Sequence, residues 1–236
     1  MVTDQKNDYD WIKTLIASFA IFVFFSITQF IVLVVASYST KKSSWKEILN
    51  LENTQFHFIE YISVISSLVG ILLILAFSKI IYKDSKIVLP INFPHLTVIL
   101  KWLFILIGFS LFINFCVDKL GVDMNENAFV NNVLLYSSSI PLLFYGIGIS
   151  QPIFEEFLFR GLLFKGLENK IGGINTVLVT SLLFVLPHIQ YDFSILSLIL
   201  LPNALILGFC RLKTKGLTVP IILHCINNTV TLLIAI

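Results

Sequence analysis

Charge is scarce in this chain. Only 13% of its 236 residues are Asp, Glu, Lys or Arg, about half of the roughly 25% usual in soluble domains. A water-soluble fold of this size has too little charged surface to cover so much apolar material. Acids and bases nearly balance, at 14 against 16, and no basic stripe with interleaved aromatics occurs, which argues against a nucleic-acid partner. Cysteine is also rare. Cys116, Cys210 and Cys225 lie in or beside apolar segments, with no CxxC pair. They read as small buried hydrophobes and exclude a disulfide framework or a cysteine zinc site. Internal repeats, low-complexity tracts, a C-terminal CaaX box and an H-E-x-x-H helix are all missing.

What is present is apolar length. Hydrophobic residues make up 57% of the chain and the mean hydropathy is +0.91. A span needs about 20 mostly apolar residues, and in lipid the helix satisfies its own backbone polar groups. The sequence predicts an all-α polytopic bundle of about eight membrane helices, over 11–37, 58–82, 98–117, 133–149, 153–171, 174–188, 194–212 and 217–236. The apolar run 15–36 is too long for a signal-peptide core and reads as a retained span. The chain reads as one integral membrane domain, 1–236, in the cell membrane with the lipid bilayer as its partner. Its first three helices read as plain lipid-facing spans. A fused fourth and fifth segment would be nearly 60 Å long, about twice the hydrocarbon thickness. Gly146, Gly148, Ser150 and Pro152 are expected to break it there.

Polar residues inside the later spans are costly and call for an explanation. In Glu155-Glu156-Phe157-Leu158-Phe159-Arg160, Glu156 and Arg160 are four residues apart, share a helix face and can pair. Glu155 is turned about 100° away and keeps a separate carboxylate. Phe184 stands four residues before His188, which closes an apolar helix, and Asp192 could orient its imidazole. His224 and Asn228 are again four apart, within the last span. The other two histidines, His57 and His95, fall in polar connections. Each feature alone has a structural explanation: a first-turn acid, an interfacial histidine, an inter-helix hydrogen bond. Antiparallel neighbours place Glu155 and His188 at one membrane face, and Asn228 lies about 18 Å along the last helix. Glu155, His188, His224 and Asn228 are expected to converge on one cavity.

These three motifs, Glu155-Glu156-x-x-x-Arg160, Phe184-x-x-x-His188 and His224-x-x-x-Asn228, resemble in order and spacing the CAAX-protease and bacteriocin-processing family, also called Abi. The resemblance covers residues 151–230, so the catalytic helices are expected within 151–236. It implies an intramembrane endopeptidase that hydrolyses peptide bonds of membrane-associated peptides or proteins. Glu155 would activate the water with help from His188. His224 and Asn228 would stabilise the oxyanion, and Glu156 with Arg160 would form a supporting ion pair. Members are commonly classed as metalloproteases, and zinc held by Glu155, His188 and His224 is chemically possible. A metal-free scheme uses each residue once and is preferred. A non-catalytic membrane protein in bacteriocin self-immunity or transport stands as the alternative. Transporters usually carry paired broken helices in two related halves, a symmetry not found in this sequence.

Overall fold

The computed structural model describes residues 10–39, 58–121, 126–188 and 199–235. Among these, every regular element is helical. Three helices are long and apolar enough to cross a membrane: α1, Asp10–Ser39; α2, Ile59–Tyr82; and α3, Leu96–Leu120. A short α4, Glu126–Tyr136, follows. Next comes α5, spanning residues 140–171. The bundle is completed by α6, Gly173–Val185, with a one-turn extension Leu186–His188; α7, Leu201–Thr214; and α8, Thr218–Ile234. The helical membrane bundle expected from hydropathy is thus the observed fold. His57, Asp192 and the start of the seventh predicted span lie outside the described residues. His95 stands just before α3, at its N-cap.

The expected break at Gly146–Pro152 does not occur. The helix continues through it as Ile140–Tyr145, a wider π-helical turn Gly146–Ser150, Gln151–Glu156, a second π segment Phe157–Leu163, and Phe164–Ile171. The junction residues Gly146, Gln151, Phe157 and Phe164 all keep right-handed helical backbone. A proline in a helix removes one donor and crowds the carbonyl four residues back. The π turn just upstream of Pro152 widens the helix there, which relieves that crowding. The glycines serve close packing instead of a break. A Cβ on Gly146 would stand 3.2 Å from the Glu60 carbonyl oxygen, and one on Gly148 would stand 2.8 Å from Thr229 Oγ1. The real interruption lies at residues 137–139, between α4 and α5.

The reading of α2 as a plain lipid-facing span is also corrected. Glu60, Ser63, Ser67, Gly70, Ile74 and Ser78 are buried on it at helical spacing. Small residues let membrane helices approach closely, and this stripe receives α1 on one side and α5 on the other. Phe154 is the wedge between them. Its ring stacks on Phe25 of α1 at 4.3 Å, and it fills the space a Cβ on Gly70 would need. Glu60 is fully buried, and its Oε1 accepts from Ser138 N at 2.9 Å and Ser138 Oγ at 2.6 Å. A carboxylate at a helix entry favours the helix dipole, so Glu60 ties α2 to the start of α5. The packing of α8 against the first π segment and of α6 against α7 then closes the bundle around the middle of α5.

Candidate active site

The middle of α5 carries Glu155, Glu156 and Arg160, all buried. Helical spacing brings Arg160 Nη1 to 3.1 Å from Glu156 Oε1, the expected pair. The second fork of the guanidinium, Nη2, donates to the Ala204 carbonyl of α7 at 2.9 Å. Its flat face lies 4.7 Å from the Phe184 ring centre, a cation–π contact. Because the π segment disturbs the regular ladder, carbonyls there take partners from elsewhere. The carbonyl of Arg160 accepts from Arg211 Nε at 3.0 Å. Arg211, in turn, stacks on Phe164 at 4.9 Å. Neither Arg211 nor Ala204 belongs to the three sequence motifs. The cation inside an apolar span was a signal for the first; nothing in the sequence marks a backbone carbonyl of alanine.

His224 of α8 sits between the two glutamates. Its Nδ1 lies 2.9 Å from Glu156 Oε1 and its Nε2 3.5 Å from Glu155 Oε2. An ionised carboxylate only accepts hydrogen bonds, so Nδ1 donates to Glu156. Nε2 faces Glu155 Oε2 across 3.5 Å, beyond ordinary hydrogen-bonding distance. Glu155 Oε1 also accepts from Gln151 Nε2 at 3.0 Å. The sequence reading gave Glu156 one partner, Arg160; the fold gives it two.

His188 ends the extension of α6. Its Nδ1 lies 2.9 Å from the Phe184 carbonyl. A carbonyl accepts, so Nδ1 carries the proton and Nε2 is the ring's acceptor. The Phe184 ring joins the parts: its centre is 5.1 Å from that of His188 and 5.8 Å from that of His224. Asn228, one turn beyond His224, donates from Nδ2 to the Ile147 carbonyl in the first π segment at 3.2 Å. A small cavity of about 40 Å³ opens beside His224 and Asn228, with Phe184, Asn203 and Leu223 in its wall. The fold therefore joins Glu155, Glu156, Arg160 and His224 by direct contact. It ties His188 to them through the Phe184 ring and sets Asn228 with His224 on one cavity wall.

Among the described residues no three His, Cys, Asp or Glu side chains are grouped to hold an ion. Nδ1 of each histidine is committed, to the Phe184 carbonyl and to Glu156, so any metal held here would be bound through Nε2. Chemically, the cluster can accept a proton at a carboxylate, pass it to an imidazole, and donate hydrogen bonds from Asn228 and His224 to a developing anion.

Comparison with known proteins agrees with the three motifs. Residues 137–230 match the family described as type II CAAX prenyl endopeptidase Rce1-like. The chain is similar to the membrane-embedded CAAX protease MroQ of Staphylococcus aureus (strain USA300), 24% identical over 224 residues, covering 90% of this chain and 86% of that protein. It is also similar to an uncharacterized 24.3 kDa protein of Escherichia coli, 34% identical over 105 residues, which cover 42% of this chain and 48% of the other. No solved structure matches the chain.

Proposed function

We propose that this chain, an integral membrane protein whose residues 137–230 match the Rce1-like CAAX prenyl endopeptidase family, is an intramembrane endopeptidase acting through Glu155, His188, His224 and Asn228. Its substrates are peptides or proteins lying in or on the cell membrane. The observation that carries the reading is the bracketing of one imidazole by two buried carboxylates: His224 against Glu155 and Glu156. Ionisable groups inside a membrane bundle are expensive, and a purely structural bundle gains little from setting two of them around one ring.

In this mechanism a water enters between Glu155 and His188. Glu155 takes one proton, and His188, with Nε2 as acceptor, orients the water. The hydroxide adds to the scissile carbonyl carbon. The oxyanion that forms is met by Nδ2 of Asn228 and by Nε2–H of His224, which acts in this scheme as the imidazolium, its Nδ1–H held by Glu156. Donors fixed in advance in a water-poor site stabilise such charge most effectively. Glu156, anchored by Arg160, holds the His224 ring in that orientation. As the carbon–nitrogen bond breaks, the proton on Glu155 passes to the leaving amine. The products are a carboxylic acid and an amine, with one water consumed; the remaining hydroxyl proton ends on the amine, giving carboxylate and ammonium. No step in this scheme is routed through a metal ion.

The test is Glu155→Gln in the intact cell and in purified protein. Uncleaved membrane peptides accumulate in the cell carrying the variant, and the folded variant hydrolyses nothing in liposomes. If Glu155→Ala leaves both the cellular phenotype and the peptide pool unchanged, the non-catalytic reading, in immunity or transport, is the correct one.

A further inference from the structure

Resting on the protease reading, we propose that Asn203 is a substrate-binding residue, whose carboxamide takes a backbone N–H of the peptide drawn into the cavity beside His224 and Asn228. Asn203 lies near the start of α7, a helix that contributed no residue to the motifs. Three observations converge on it.

The first is location. Asn203 lines the same cavity as His224 and Asn228, with Phe184 and Leu223 completing the wall between them. A group bound there is next to the imidazole held by Glu156. The second is an unmet polar group. Asn203 Oδ1 is buried and has no hydrogen-bond partner among the described residues. Leaving a buried acceptor unmade is costly, and an apolar residue of similar size would avoid the cost. The final torsion of an asparagine side chain is soft, so the amide turns towards a ligand at little expense. The third is rigidity. The next residue, Ala204, gives its carbonyl to Arg160 Nη2 at 2.9 Å. That contact fixes this turn of α7 to the same guanidinium that pairs with Glu156. The carboxamide is thereby held in register with the reacting groups.

The chemistry of the wall indicates what it reads. Apart from His224, the polar groups in the cavity wall are the neutral amides of Asn203, Asn227 and Asn228, and the remainder is apolar. Such a wall suits the uncharged backbone of a peptide and offers no counter-ion to a charged side chain. With Asn228 donating on one side, a carboxamide acceptor on the other gives an extended peptide one contact for its carbonyl and one for its N–H.

The experiment uses the full chain in phosphatidylcholine–phosphatidylglycerol liposomes and a pool of end-capped apolar peptides, with cleaved bonds located by mass spectrometry. The best-cleaved peptide is then remade with an ester oxygen replacing each backbone N–H near, but not at, the cleaved bond. In the wild type, one ester position lowers kcat/KM by roughly tenfold, the usual scale of one lost hydrogen bond to a buried partner, and does so through KM. In Asn203→Ala, kcat/KM with the normal peptide falls by a similar factor, and the ester at that position costs nothing further. Asn203→Gln, which keeps the carboxamide, recovers part of the loss, while thermal unfolding stays close to wild type in both variants. Ester penalties that are unchanged in Asn203→Ala, or no penalty at any position in the wild type, overturn the role of Asn203 and leave the protease reading intact. A wild type that neither cleaves nor binds any peptide overturns both.

Discussion

One oxygen of Glu156 accepts two hydrogen bonds, from Arg160 Nη1 at 3.1 Å and from His224 Nδ1 at 2.9 Å. The first partner is one turn away on the same helix; the second comes from the last helix of the chain. Glu156 is thus both the mate of a buried cation and the orienting group for the imidazole that faces Glu155. Removing its charge leaves Arg160 buried without a counter-ion, which costs on the order of 3–5 kcal/mol. Glu156→Gln should therefore lower the thermal midpoint and also lower kcat, because a neutral amide oxygen holds the His224 ring less firmly than the carboxylate does. A Glu156→Gln protein that melts early yet keeps full kcat per folded molecule would separate the ring from its supposed orienting group.

Glu155→Gln should behave differently. Glu155 touches Gln151 and His224 but no guanidinium, so its neutral isostere leaves no cation unpaired. Hydrolysis should disappear while the melting curve stays near that of the wild type. Paired activity and unfolding measurements on the two glutamine variants check the division, and equal stability loss in both would refute it.

The packing of α5 on α8 predicts a compensating pair. Gly148→Ala places a methyl 2.8 Å from Thr229 Oγ1, and overpacking of this kind costs about 1–3 kcal/mol. Thr229→Ala removes the obstructing oxygen, so the double variant should recover most of the stability lost by Gly148→Ala. Additive losses in a double-mutant cycle would show that the two positions do not touch.

Glu60 yields a prediction far from the reacting groups. Its Oε1 accepts from both the backbone N and the hydroxyl of Ser138. Ser138→Ala removes one of these bonds and should cost about 1 kcal/mol, whereas Glu60→Ala strands both donors and should cost about 2–3 kcal/mol or more. Chemical denaturation in detergent micelles ranks the two, and the reverse order would mean that Glu60 does not anchor the entry to α5.

The metal-free scheme predicts that purified protein keeps its activity after exhaustive chelation and contains no stoichiometric zinc by elemental analysis. Activity that vanishes with the chelator and returns with zinc would reassign Glu155, His188 and His224 as ligands, with Asn228 as a possible fourth.

By itself the sequence determined the solvent and the local geometry. Scarce charge and long apolar runs leave only the bilayer, and helices follow because lipid offers the backbone no hydrogen bonds. The pairing of Glu156 with Arg160, and the shared wall of His224 and Asn228, follow from a turn of about 3.6 residues. Tertiary structure decided which helix faces which. The contacts that build the site link residues far apart in the chain: 44 positions for Arg160 to Ala204, 51 for Arg211 to Arg160, 68 for His224 to Glu156 and 81 for Asn228 to Ile147. No helical period encodes the rotation of one helix about its axis relative to another. The same holds for α5. Gly146, Gly148 and Pro152 carry the signature of a break, and only their neighbours, Glu60, Ser63 and Thr229, show that the glycines are there for close approach. A backbone pressed on two sides stays helical where the same residues in isolation would end the helix.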